Sequence, residues 1–114
     1  MAAKFFSNQQ QVYAMFIAMN RFKVAPGKEE EFIAVWRKRE SYLEGVPGFR
    51  EFHLLRGPEH EEYTLFASHS VWDSPEAFEA WTTSEAFRKA HAQAGGVKGL
   101  YVGGPHLECF EAVL

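Results

Sequence analysis

The chain has 114 residues, 46% apolar and 16% aromatic, with a formal net charge of −3. That length holds one domain with a single core, and the lack of a basic run argues against a nucleic-acid partner. The single cysteine, Cys109, excludes an internal disulfide and fits a reducing compartment. No apolar run approaches the roughly 20 residues of a bilayer span, and MAAKFFSNQQQ at the N-terminus lacks the apolar region of a secretory signal. The expectation is a soluble, cytoplasmic protein with no membrane partner.

Residues 1–13 are polar and Gln-rich, and predict a flexible N-terminal extension ahead of one domain over 14–114. Ala14 to Val24 reads as a strand whose even positions (Phe16, Ala18, Asn20, Phe22, Val24) and odd positions (Met15, Ile17, Met19) both begin apolar. Side chains alternate faces along a strand, so this pattern predicts a sheet covered on both sides. Ala25-Pro26-Gly27 is a turn. Lys28 to Glu44 has helical spacing, with Phe32, Val35, Trp36, Tyr42 and Leu43 as candidate buried positions. Glu29, Glu30 and Glu31 suit the positive end of its dipole, and Gly45-Val46-Pro47-Gly48 ends it.

A second strand follows from Phe49 to Arg56, a turn at Gly57–His60, and a third strand from Tyr63 to Trp72, together a hairpin. Asp73-Ser74-Pro75-Glu76 starts a helix that runs through Phe78 and Trp81. Thr82-Thr83-Ser84-Glu85 predicts a break and a fresh N-cap, with a second helical segment from Glu85 to about Gln93. Gly95 to Gly104 predicts a flexible loop, and Leu107 to Val113 a last strand.

The order β-α-β-β-α-β is the split βαβ, ferredoxin-like pattern of the α+β class. Both helices of such a sheet lie on one face. Met15, Ile17 and Met19 would lie on the other, and the simplest cover for it is a second copy of the same sheet. A homodimer joined sheet to sheet is expected, because a large exposed apolar face is unusual in a soluble monomer.

Three residues stand out as a candidate site. Asn20 shares its strand face with apolar neighbours, so its amide either bonds to nearby backbone or points into a cavity between sheet and helices. Trp81 is a core residue or a ligand contact. His91 is a helix-end residue or a ligand. His53, His60, His69 and His106 form no pattern such as HExxH and read as structural or solvent-exposed. Ten residues of straight helix between Trp81 and His91 would rise about 15 Å and leave the side chains about 80° apart. They could not meet on one small atom, but they could touch different parts of one broad, flat ligand, especially if Thr82–Ser84 bends the path. A porphyrin is such a ligand, and a neutral imidazole is a common axial ligand for its iron.

The segments AMFIAMNRFKVAPGKEEEF, GFREFHLLRG, YTLFASHSVWDSPEAFEAW, SEAFRKAH and HLECFEAVL resemble the antibiotic biosynthesis monooxygenase superfamily of dimeric α+β barrels. More narrowly, they resemble its IsdG-type haem-degrading monooxygenases. The resemblance covers nearly everything after residue 13, and Asn20, Trp81 and His91 are its most specific part. It implies a haem-degrading monooxygenase that opens the porphyrin ring and releases iron. Haem would be cofactor and substrate, and molecular oxygen and an external electron donor would be consumed. It implies His91 as the axial iron ligand, Asn20 as a distal hydrogen-bonding group and Trp81 as the side chain that presses on the porphyrin. The donor would be a reductase or a small reductant. Two rivals stand beside it. One is a cofactor-independent monooxygenase acting on a quinol or polyketide-like substrate, for which His91 is incidental. The other is a non-enzymatic haem carrier.

Overall fold

The even positions of the first strand decide which side of the sheet becomes the interior. In the computed structural model, which describes residues 15–94 and 99–114, β1 spans Phe16–Val24. Ala18, Phe22 and Val24 are buried on one face, whereas Arg21 and Lys23 on the other are exposed. The expected extension over residues 1–13 lies outside the described residues.

The elements follow as α1 (Glu29–Arg39), a 3-10 turn (Glu40–Leu43), β2 (Phe49–Glu59), β3 (Thr64–Trp72), α2 (Pro75–Thr82), α3 (Glu85–Ala94) and β4 (His106–Glu111). The sheet is antiparallel in the order β2-β3-β1-β4. This is the ferredoxin-like α+β fold that the periodicity predicts. Thr64, Phe66, Ser68 and Trp72 of β3 continue the buried face of β1. One core cluster joins Phe22, Val24, Phe32, Phe66 and Leu100; a second joins Leu43, Trp72 and Trp81. Phe32 and Trp72 are fully buried, and a buried Phe side chain contributes about 1.5–3 kcal/mol when removed from water.

Several boundaries differ from the sequence reading; the last strand, for one, ends at Glu111 rather than Val113, and strand ends shift by one or two residues elsewhere. The predicted helix over 28–44 tightens into a 3-10 turn for its last four residues, the form that helix ends commonly take. The second strand runs past Arg56 to Glu59 through Gly57-Pro58, with a register irregularity between Arg56 and Glu59. β2 is an edge strand, where a proline that cannot donate to the ladder is tolerated. The described part of the glycine-rich loop is tied to β1. Leu100 is fully buried, its carbonyl accepts from the Ala25 amide at 2.8 Å, and the Val102 amide donates to Lys23 at 2.8 Å. Composition predicted looseness; one apolar side chain and two strand-like hydrogen bonds give residues 99–102 a fixed path. Gly95, Gly96, Val97 and Lys98 lie outside the described residues.

The break after α2 is built from hydroxyls. Ser74 caps α2, its Oγ accepting from the Ala77 amide at 3.1 Å, with Pro75 in the first turn. At the other end Thr82 donates to the Glu79 carbonyl, and Ser84 donates to the Trp81 carbonyl at 2.7 Å. Ser84 Oγ also accepts from the Phe87 amide at 3.1 Å, so one side chain ends α2 and starts α3.

Candidate functional site

The bend at Ser84 turns α2 and α3 over the same part of the sheet, and a cavity forms beneath them. It encloses about 160 Å³, or about 780 Å³ when the space at its open mouth is counted. Asn20, Trp81 and His91 all line it, together with Trp36, Phe52, Ser68, Trp72, Phe87 and Leu107. The straight-helix geometry of the sequence reading therefore does not apply: the predicted bend occurs, and both helices face one space. Apart from His91, the described lining has no ionisable side chain.

Asn20 projects from the middle of β1, opposite Ser68 on β3 and Leu107 on β4. Ser70, two residues from Ser68 on the same face, is engaged: its hydroxyl donates to the Ala18 carbonyl at 3.2 Å and accepts from Trp72 Nε1 at 2.9 Å. Asn20 Oδ1 is different. It is buried and has no hydrogen-bond partner among the described residues. An unpaired buried amide oxygen costs about 1–3 kcal/mol. A flip exchanges the oxygen and the NH₂ of an amide, so the same position can present an acceptor or a donor to a ligand. Asn20 Oδ1 thus makes no bond to nearby backbone among the described residues.

Trp81 is 8% exposed, packed in the second core cluster, and also lines the cavity. It stacks on Trp72 (centroids 6.3 Å apart, planes 28° apart) and meets Phe87 edge-on at 5.5 Å. Its remaining edge borders the cavity.

His91 is exposed at the mouth, near the end of α3. Its Nδ1 lies 2.9 Å from the Phe87 carbonyl. A carbonyl only accepts, so Nδ1 carries the proton and the lone pair of the neutral ring lies on Nε2. The Phe87 ring lies against the imidazole with centroids 3.9 Å apart, so orientation as well as tautomer is set. Metal-bound histidines are commonly held by such a bond to a backbone carbonyl.

Sequence reasoning passed over Ser68, Leu107, Trp36 and Phe52 as lining. The signal for Ser68 was the even-position alternation of β3. The others depend on which strands pair and where α1 lies, which no local pattern carries. Elsewhere on the molecule, the histidines read as structural or solvent-exposed include two that the structure brings together: His53 and His69 are direct cross-strand partners.

These features can be set beside known proteins. The chain is 30% identical over 83 residues to a heme-degrading monooxygenase of Bacillus thuringiensis (strain Al Hakam), covering 73% of this chain and 77% of that one. Among solved structures it is similar to the heme-degrader MhuD of Mycobacterium tuberculosis with two hemes bound in its active site. That match has a TM-score of 0.66 and 32% identity, and covers 87% of this chain and 96% of that one. SnoaB, a cofactor-independent oxygenase from Streptomyces nogalater, has a TM-score of 0.66 at 21% identity, covering 90% of this chain and 96% of that one, and shares the fold. The family model described as antibiotic biosynthesis monooxygenase matches residues 15–93, and this chain belongs to that monooxygenase family.

Proposed function

We propose that this protein is a haem-degrading monooxygenase, with haem as both cofactor and substrate. The observation that carries the reading is the meeting of Asn20, Trp81 and His91 on one aromatic cavity, with Asn20 Oδ1 buried and unpartnered within the described protein. Fold alone does not choose a substrate, since one fold hosts many chemistries. The similarity to heme-degrading relatives at 30–32% identity supports this choice.

The residues present fit the group. Haem would supply the redox-active iron and the ring carbons to be oxidised, with molecular oxygen as oxidant and electrons from a reductase or a small reductant. His91 would offer Nε2 to the iron, its ring fixed by the Phe87 carbonyl. Asn20 would present a hydrogen-bonding amide from the sheet wall of the cavity without adding an ionisable acid. Trp81, held against Trp72 and Phe87, would offer a stiff aromatic surface for the porphyrin to pack on. The chain's contribution is positioning, ligation and exclusion of water.

The same reading includes a cytoplasmic homodimer paired through the open sheet face. Ile17, Val71 and Phe110 form one apolar row there, and Phe110 is 49% exposed. No described helix is long and apolar enough to cross a membrane.

Hemin with a reductant in air tests the assignment. Asn20→Ala is expected to bind hemin but to bleach the Soret band and release iron slowly, and His91→Ala to do neither at the wild-type rate. Full turnover by both variants contradicts the assigned roles. Stoichiometric binding with no loss of the Soret band and no iron release points to a carrier.

A further inference from the structure

The side of the sheet away from the helices carries a second group of residues with coordination chemistry. Glu51 and His53 stand two apart on β2, so they project to the same face. His69 on β3 is the direct cross-strand partner of His53. The two imidazole centroids are 6.2 Å apart, and His53 Nδ1 lies 3.8 Å from a Glu51 carboxylate oxygen. One donor atom from each of the three residues lies within 4.8 Å of the others. The cavity of Asn20, Trp81 and His91 is on the opposite face, so this group is separate from the proposed haem site.

We propose that Glu51, His53 and His69 form a binding site for a divalent transition-metal cation of the zinc or cobalt type. Two imidazoles and one carboxylate are the donors that such borderline cations select, whereas calcium and magnesium take oxygen ligands. Ligand atoms at about 2.0–2.1 Å from a tetrahedral zinc are about 3.3 Å from one another. The three donor atoms are thus within about 1.5 Å of coordination spacing, a closure that side-chain rotation provides while the hairpin register holds the backbones. The spacing along β2 and the pairing to β3 place the ligands. Three protein donors leave a fourth position for water. In the homodimer proposed above a second copy covers this face, and the cation would also neutralise the Glu51 carboxylate that the contact removes from water.

The test is titration of the hemin-free protein with Co²⁺, read by its visible ligand-field absorption, followed by displacement with Zn²⁺. Saturable binding is expected, and His53→Ala and His69→Ala should each weaken it at least about tenfold, because even loss of an outer-shell contact commonly costs about 10–100-fold. Glu51→Gln should weaken it in the same direction. His60→Ala, whose ring packs on Tyr63 in the β2–β3 turn, should bind as wild type does. His53 is exposed and His69 half-buried, so both variants are expected to keep the wild-type far-ultraviolet spectrum. Failure of the wild-type chain to bind Co²⁺ saturably overturns the proposal. So does wild-type affinity in both histidine variants. Hemin is absent throughout, so neither result bears on the haem reading.

Discussion

Trp81 packs in the core, and a graded pair of substitutions can separate that packing from the ligand contact proposed for it. A tryptophan side chain removes about 150–250 Å² from water when buried. Trp81 is 8% exposed, so at about 25 cal/mol per Å² its burial contributes at most about 3.5–6 kcal/mol. Truncation to alanine typically costs about 3–5 kcal/mol when a sealed void is left. Trp81 already borders a cavity with an open mouth, so Trp81→Ala would enlarge a space that water can reach. The expected loss therefore lies near the low end, about 3 kcal/mol, a large share of the roughly 5–15 kcal/mol of a typical domain. Trp81→Phe keeps an aromatic ring between Trp72 and Phe87 and is expected to cost less than about 1.5 kcal/mol. Urea unfolding of the hemin-free protein, followed by far-ultraviolet circular dichroism, reads both values as midpoint shifts at unchanged slope. A loss below about 1 kcal/mol for Trp81→Ala would refute the packing argument, because a core tryptophan cannot be removed so cheaply. Turnover adds the second layer. If Trp81 also presses on the ligand, Trp81→Phe should lose hemin turnover out of proportion to its small loss of stability.

Two further expectations concern the scaffold. Gly48 has φ near +81°, and a Cβ built there meets the Cβ of Ala77 on α2. Gly48→Ala should cost about 2–4 kcal/mol, from backbone strain plus displacement of the helix start, and a midpoint within about 0.5 kcal/mol of wild type would contradict this. Glu29 accepts a 2.8 Å bond from the Thr64 hydroxyl, and Glu108 accepts one of 2.8 Å from Arg21. These bonds are the main causes holding both carboxyls below their ordinary value of 4.5. A depressed folded-state value means that the contribution is present above the unfolded value and is lost as pH falls through the folded one. Thr64→Val and Arg21→Gln should therefore be less stable than wild type at neutral pH, and the gap should close on acidification below 4.5. A gap that persists in acid would show that the carboxylates are not its source.

How much the sequence revealed depended on the range of the interaction. Strand alternation and helix capping are local, so β1, β3, the Ser74 cap and the hydroxyl-built break at Ser84 could be read directly. Asn20 could be placed on the inner face from the same alternation. His53 and His69 could not be paired, because their meeting depends on hairpin register and on an irregular β2 that composition does not show. The segment from Gly99 to Val102 escapes a reading by composition for a related reason. Its glycines suggest looseness, while Leu100 and two bonds to the end of β1 fix it over a long separation. The candidate site was half visible. Asn20, Trp81 and His91 could be singled out from the sequence, but the unpartnered Asn20 Oδ1 and the anchoring of His91 by the Phe87 carbonyl required coordinates.

The account rests on haem entering the cavity beneath α2 and α3 and meeting His91. The most direct measurement is titration of hemin into the purified protein, followed through the Soret band, alongside the His91→Ala variant. The account predicts saturable binding by the wild-type chain with the spectrum of histidine-ligated haem, and loss of that spectrum in His91→Ala. No saturable binding, or an unchanged spectrum in the variant, would contradict it.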